Sequence, residues 1–170
     1  MLGRWIGTVG AGMVAVAVCS DALAAQAADG SDLCSLSTDV EFQEAEGVNP
    51  AIGIIPTDPP VLTQMSWGPH CDYSGGAIDM FNKKSPEADL ERVLKLTEGG
   101  KKRVPVQGFG KRAFFTTVYP DDPYRRRGLL AIDLGDRILA ISMDPKRDDA
   151  PESTQPSIEK LAKLVMPRVK

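Results

Sequence analysis

Leu130-Ala131-Ile132-Asp133-Leu134-Gly135-Asp136-Arg137-Ile138-Leu139-Ala140-Ile141-Ser142-Met143 is the stretch that decides the fold. Leu130, Ile132 and Leu134 alternate with Ala131 and Asp133, and Leu139, Ile141 and Met143 alternate with Ala140 and Ser142. Successive side chains of a strand point to opposite faces, so each run offers one apolar face. Gly135-Asp136 separates the runs, and glycine first in a two-residue loop suits a type II′ hairpin. That loop sets Leu134 opposite Arg137, Ile132 opposite Leu139 and Leu130 opposite Ile141. The apolar sets then share one face, and a slip of one residue would turn one set away. An antiparallel hairpin is the predicted centre of the fold.

Upstream, Val104 to Tyr119 reads as extended chain bent at Gly108-Phe109-Gly110. Gly108 to Ala113 spells G-x-G-x-x-A, but phosphate binding needs a helix to start there. Phe114-Phe115-Thr116-Thr117-Val118-Tyr119 follows instead, a strand by composition, so dinucleotide binding is set aside. Ser85-Pro86 opens a helix with a serine cap and Leu90, Val93 and Leu94 as its stripe. Leu62 to Tyr73 reads as one strand broken at Gly68-Pro69, with Gly75-Gly76 turning it into Ala77 to Asn82. Asn49 to Pro60, with its prolines, reads as loop.

Thr38 and Glu41 form a capping-box pattern, in which a hydroxyl caps the helix and the acid three residues on reaches back. The helix runs from Asp39 to Glu46 and stops at Gly47, with Leu36 and Val40 as its apolar contacts. Downstream, Asp144 to Ser153 is a charged loop. Pro156 then opens a last helix whose stripe is Ile158, Leu161, Ala162 and Val165, with Leu164 at its margin. The expected fold class is α+β: a mostly antiparallel sheet covered by about three helices, with a single disulfide.

The 170 residues suit one domain. With 42% hydrophobic and 25% charged residues, the chain is neither disordered nor a membrane bundle. A net charge of −3 argues against a nucleic-acid binder. Residues 1–27 read as a signal peptide, with Arg4 in the n-region and an apolar stretch from Ile6 to Val18. That stretch is too short to span a membrane. Cleavage after Ala24 or Ala27 leaves a single domain, 28–170 in the latter case, with no membrane span. A lipid anchor at Cys19 is the rival reading, although Val18 suits it poorly. Cys19 leaves with the leader, so Cys34 and Cys71 are expected to bond in an oxidising compartment.

Five short pieces carry a resemblance: Cys34-Ser35-Leu36-Ser37-Thr38, Cys71, Gly108 to Ala113, Gly135-Asp136 and Leu161-Ala162-Lys163. Together they resemble small exported bacterial proteins of unknown function, the DUF3558-like lipoproteins and their relatives. That resemblance implies a Mog1/PsbP-type α/β sandwich acting as a binding or accessory module. The family's lipobox has no good counterpart here, and no catalytic residue carries over.

His70 is the one histidine, and beside Gly68-Pro69 it reads as an exposed turn residue. Trp67, Phe114, Phe115 and Tyr119 read as core. His70 with Asp72 offers two ligands where a structural zinc site needs four, so no metal and no cofactor are expected. The loop Pro120 to Arg127 is longer than a usual hairpin loop and carries Tyr124, Arg125, Arg126 and Arg127. Three guanidiniums in a row suit an anion, with Asp121 and Asp122 as local neutralisers. The expected function is an exported, non-enzymatic binding or accessory protein, periplasmic or secreted. Its partner would be an envelope protein or anionic envelope polymer. A hydrolase or metal-dependent enzyme using His70 and nearby acids is the alternative.

Overall fold

A computed structural model describes residues 30–47, 59–82 and 103–169. Among these residues seven strands form one sheet: β1 Val61–Met65, β2 Gly68–Tyr73, β3 Gly76–Asn82, β4 Val104–Val106, β5 Arg112–Val118, β6 Arg127–Asp133 and β7 Arg137–Met143. Their order is β1-β2-β3-β7-β6-β5-β4, and every neighbouring pair is antiparallel. Two meanders therefore meet at the β3–β7 seam. Two α-helices are described, α1 Asp39–Ala45 and α2 Gln155–Val165.

This corrects the expected α+β plan. The described chain is β-dominated, with seven strands against helices of seven and eleven residues, rather than a sheet under about three helices. One source of the difference is the 62–73 stretch, which holds two strands and not one broken strand. Ser66 and Trp67 form a tight turn between β1 and β2, and Met65 pairs with Gly68. The helix expected from Ser85, the leader 1–27 and most of the loop from Asn49 lie outside the described residues.

The β6–β7 hairpin has the predicted register. Ile132 faces Leu139, Leu130 faces Ile141, and the Leu134 N–H donates to the Arg137 carbonyl at 3.0 Å. Gly135 takes a φ of 108°, which a side chain would oppose. Leu130, Ile132, Leu139 and Ile141 are fully buried on the inner face. The other face is buried as well: Ala131, Ile138 and Ala140 are at most 1% exposed. Phe81, Phe114 and Tyr119 pack around these small side chains on the outer face.

The inner face packs against both helices. The Thr38 capping box forms in both directions: Glu41 N–H donates to Thr38 Oγ1, and Thr38 N–H to Glu41 Oε2. Phe42, fully buried, stacks on Tyr73 at 4.4 Å between centroids. Phe42 and Ala45, rather than Val40, carry the helix's core contacts. Ile158, Leu161, Ala162 and Val165 are buried on α2, while Leu164 is exposed, as the stripe predicts. Arg168 grips both Glu41 carboxylate oxygens, at 2.6 and 2.8 Å, and the Leu36 carbonyl at 3.0 Å. That fork ties the segment after α2 to the cap of α1 and holds the Glu41 carboxyl below its usual range.

Cys34 lies in a 3-10 turn, Gly30–Ser35, and is bonded to Cys71 on the inner face of β2. The Tyr73 hydroxyl donates to the Cys34 carbonyl at 3.2 Å, a second tie between the same two elements.

Candidate functional site

The outer face of the sheet follows from strand parity. Cys71, Ile78, Leu139, Ile141, Leu130, Ile132 and Phe115 point inward, so His70, Asp79, Ala140, Leu129 and Val118 point outward. On this face lies a groove of about 570 Å³. Among the described residues, one wall holds Trp67 and Phe81, and the other holds Tyr119, Tyr124, Arg125 and Arg127. Ala140 and Ser142 of β7 and Leu129 of β6 form the floor between them. Two small side chains on β7 leave the depression; the aromatic residues raise its sides. The lining draws on β3, β7, β6 and the end of β5, so it crosses three interstrand steps, about 14 Å.

The first wall is built on the β1–β2 turn. Trp67 stacks on Phe81 with centroids 6.2 Å apart and rings 15° from parallel. Its indole Nε1–H donates to Asp79 Oδ1 at 3.3 Å. The same oxygen lies 2.7 Å from His70 Nδ1, and His70 Nε2 lies 3.0 Å from Asp72 Oδ1. Asp79 Oδ2 has no hydrogen-bond partner among the described residues. The Asp79 hydrogen bond is the main cause that raises the His70 pKa; burial opposes it, and the Asp79 and Asp72 charges add to it. The imidazolium is thus favoured, with both ring N–H groups donating to acids.

These positions correct three expectations. His70 is a strand residue with a side chain 15% exposed, not an exposed turn residue. Trp67 lines the groove instead of the core, Tyr119 lines it while packing with Phe114 against the outer cluster, and Phe115 is core as expected. Asp122 organises the loop and does not neutralise its arginines. The Asp122 carboxylate accepts the Tyr124 N–H at 2.9 Å, and its carbonyl accepts the Arg125 and Arg126 N–H groups.

The loop splits the arginine run. Arg125 lies over the Tyr119 ring, 4.3 Å from the centroid. Among the described residues it has no carboxylate partner. Arg126 donates to the Arg147 carbonyl, and Arg127 pairs with Asp144 at 2.7 Å. Tyr124 is 96% exposed. Tyr119 adopts a φ of 46°, a left-handed conformation that a bulky residue rarely takes. Such strain persists where surrounding structure enforces it, often beside a binding site. The structure therefore brings Tyr124, Arg125 and Arg127 to one groove and sends Arg126 elsewhere.

Sequence reasoning missed Asp79, Phe81 and the Trp67 wall because it misplaced one turn. The hairpin turn is Ser74-Gly75, and Tyr73 pairs with Gly76, so His70 faces Asp79. A turn placed at Gly75-Gly76 would set His70 opposite Phe81 and hide the pair. The Ser74-Gly75 dipeptide was the available signal, and Gly75 takes a φ of 93° in the turn. Among the described residues no group of three His, Cys, Asp or Glu side chains could hold a metal ion. Comparison with protein-family models, with curated proteins and with solved structures finds no match to this chain.

Proposed function

We propose that this chain is an exported, non-enzymatic binding or accessory protein of the cell envelope, periplasmic or secreted, that holds an anionic partner in its outer groove. The observation that carries the reading is Arg125: a guanidinium without an acid partner among the described residues, seated on Tyr119 at the mouth of an aromatic-walled groove. A cation in that setting gains most from an incoming carboxylate or phosphate. The Cys34–Cys71 bond suits an oxidising compartment. No helix among the described residues is long and apolar enough to cross a membrane. The resemblance to DUF3558-like exported proteins agrees with a binding or accessory role. Catalysis through His70 has less support, because both ring nitrogens are engaged by carboxylates of the protein, Asp79 at 2.7 Å and Asp72 at 3.0 Å.

The test uses protein recovered from the exporting cell and immobilised. An anionic envelope fraction should be retained at low salt and released as salt rises, since exposed charges are screened beyond ~8 Å at physiological ionic strength. Arg125→Gln and Arg127→Gln should weaken retention, and Arg126→Gln should not. Equal retention by all four proteins would overturn the reading.

A further inference from the structure

Resting on that reading, we propose that the occupant of the groove is a glycan segment bearing an acidic sugar. A ring of the segment lies against Trp67, a hydroxyl donates to Asp79 Oδ2, and the acid group meets Arg125.

Three groups in the groove ask for three features in one ligand. The Trp67–Phe81 stack is a flat apolar wall whose only polar atom, the indole N–H, is already used by Asp79. It offers a ligand a face to lie on and no hydrogen bond. Asp79 is fixed through Oδ1 by Trp67 and His70 and is left with Oδ2 as an acceptor. An ionised carboxylate accepts and cannot donate, so its partner must carry O–H or N–H groups. His70 offsets the Asp79 charge, so the acceptor does not repel an anion as a bare carboxylate would. Arg125 then supplies the cation for an acid group, and Tyr124, almost fully exposed, adds a second ring with a hydroxyl.

A sugar acid joins these features in one unit: an apolar C–H face, hydroxyl donors along its edge and a carboxylate or phosphate. The groove is open and crosses four strands, which suits a run of linked rings better than one enclosed small molecule. An acidic peptide would satisfy Arg125 but would leave the flat wall and the Asp79 acceptor to chance side chains. A neutral glycan would leave Arg125 unmatched.

The sequence has two tryptophans, Trp5 and Trp67; Trp5 lies in the leader that the exported form is read to lose, and a Trp5→Phe change covers any uncleaved chain, so indole emission reports on the groove alone. The exported protein is titrated with an oligogalacturonate, a malto-oligosaccharide of equal length and a polyglutamate peptide. The oligogalacturonate should shift Trp67 emission in a saturable way and bind about ten- to a hundredfold tighter than the other two. Arg125→Gln, an exposed change that leaves the sheet intact, should remove most of that margin, and Tyr124→Ala should weaken binding further.

Polyglutamate binding as tight as the acidic sugar overturns the glycan assignment while the anion-binding groove stands. Malto-oligosaccharide binding as tight overturns the acidic part. If no probe moves Trp67 emission although envelope retention still depends on Arg125, the glycan proposal falls and the broader function survives. Loss of both removes both.

Discussion

Reducing the Cys34–Cys71 bond should lower the melting temperature by roughly 13–14 °C. The two cysteines are 37 positions apart. Closing a loop of that length removes about 13 cal/mol/K of entropy from the unfolded chain, or about 4 kcal/mol at 25 °C. Unfolding releases about 2.1 cal/mol/K per residue, so the domain of residues 28–170, with about 300 cal/mol/K in all, converts that free energy into the stated shift. Reduction is the cleaner perturbation, because the sulfur of the fully buried Cys71 stays in place and no cavity opens. Cys34→Ala with Cys71→Ala adds the lost packing and should fall about 1 kcal/mol lower still. The assay is thermal and urea unfolding of oxidised and reduced protein, with free thiols counted after each run. Because the effect acts on the unfolded state, the reduced protein should also show a larger m-value, its unfolded chain being less compact. A shift under about 4 °C with an unchanged m-value would refute the reasoning. It would mean that the 30–47 segment detaches locally and the sheet does not depend on the loop closure.

Glu46 gives a pH prediction of opposite sign to the usual carboxylate. Burial, then the Asp144 charge, push its pKa up to about 7, and its Oε1 has no hydrogen-bond partner among the described residues. A raised acid favours folding while it stays protonated, so stability declines as pH rises from about 4.5 through 7. Glu46→Gln should therefore raise the melting temperature at pH 8 by more than at pH 5, with a gain of about 1 kcal/mol after discounting for the group's partial exposure. Equal melting temperatures for the two proteins at pH 8 would count against it. Gly128→Ala should destabilise by about 1–3 kcal/mol, because a Cβ there would collide with Thr154 Oγ1 and lie 3.0 Å from the Phe115 ring. An unchanged urea midpoint would show that the α2 entry and β5 can move apart freely.

What the residues determine alone is what short-range chemistry governs. The β6–β7 register follows from a two-residue turn and a period of two, and Ile132 does face Leu139. The Thr38–Glu41 capping box and the α2 stripe likewise need only neighbours three or four residues away. What required the tertiary structure is whatever depends on which strand lies beside which. Ala131 and Ala140, set opposite the apolar face by alternation, are both buried, because Phe81, Phe114 and Tyr119 from distant parts of the chain pack around them. Arg125, Arg126 and Arg127 looked alike, and Tyr119, Arg147 and Asp144 sent them to three different partners. Trp67 and Tyr119, 52 positions apart in sequence, face each other across the groove only because the two meanders join at the β3–β7 seam. Local pattern fixes hairpins and caps; the pairing of distant strands is set by the summed burial of the whole sheet, and that pairing is what made the groove.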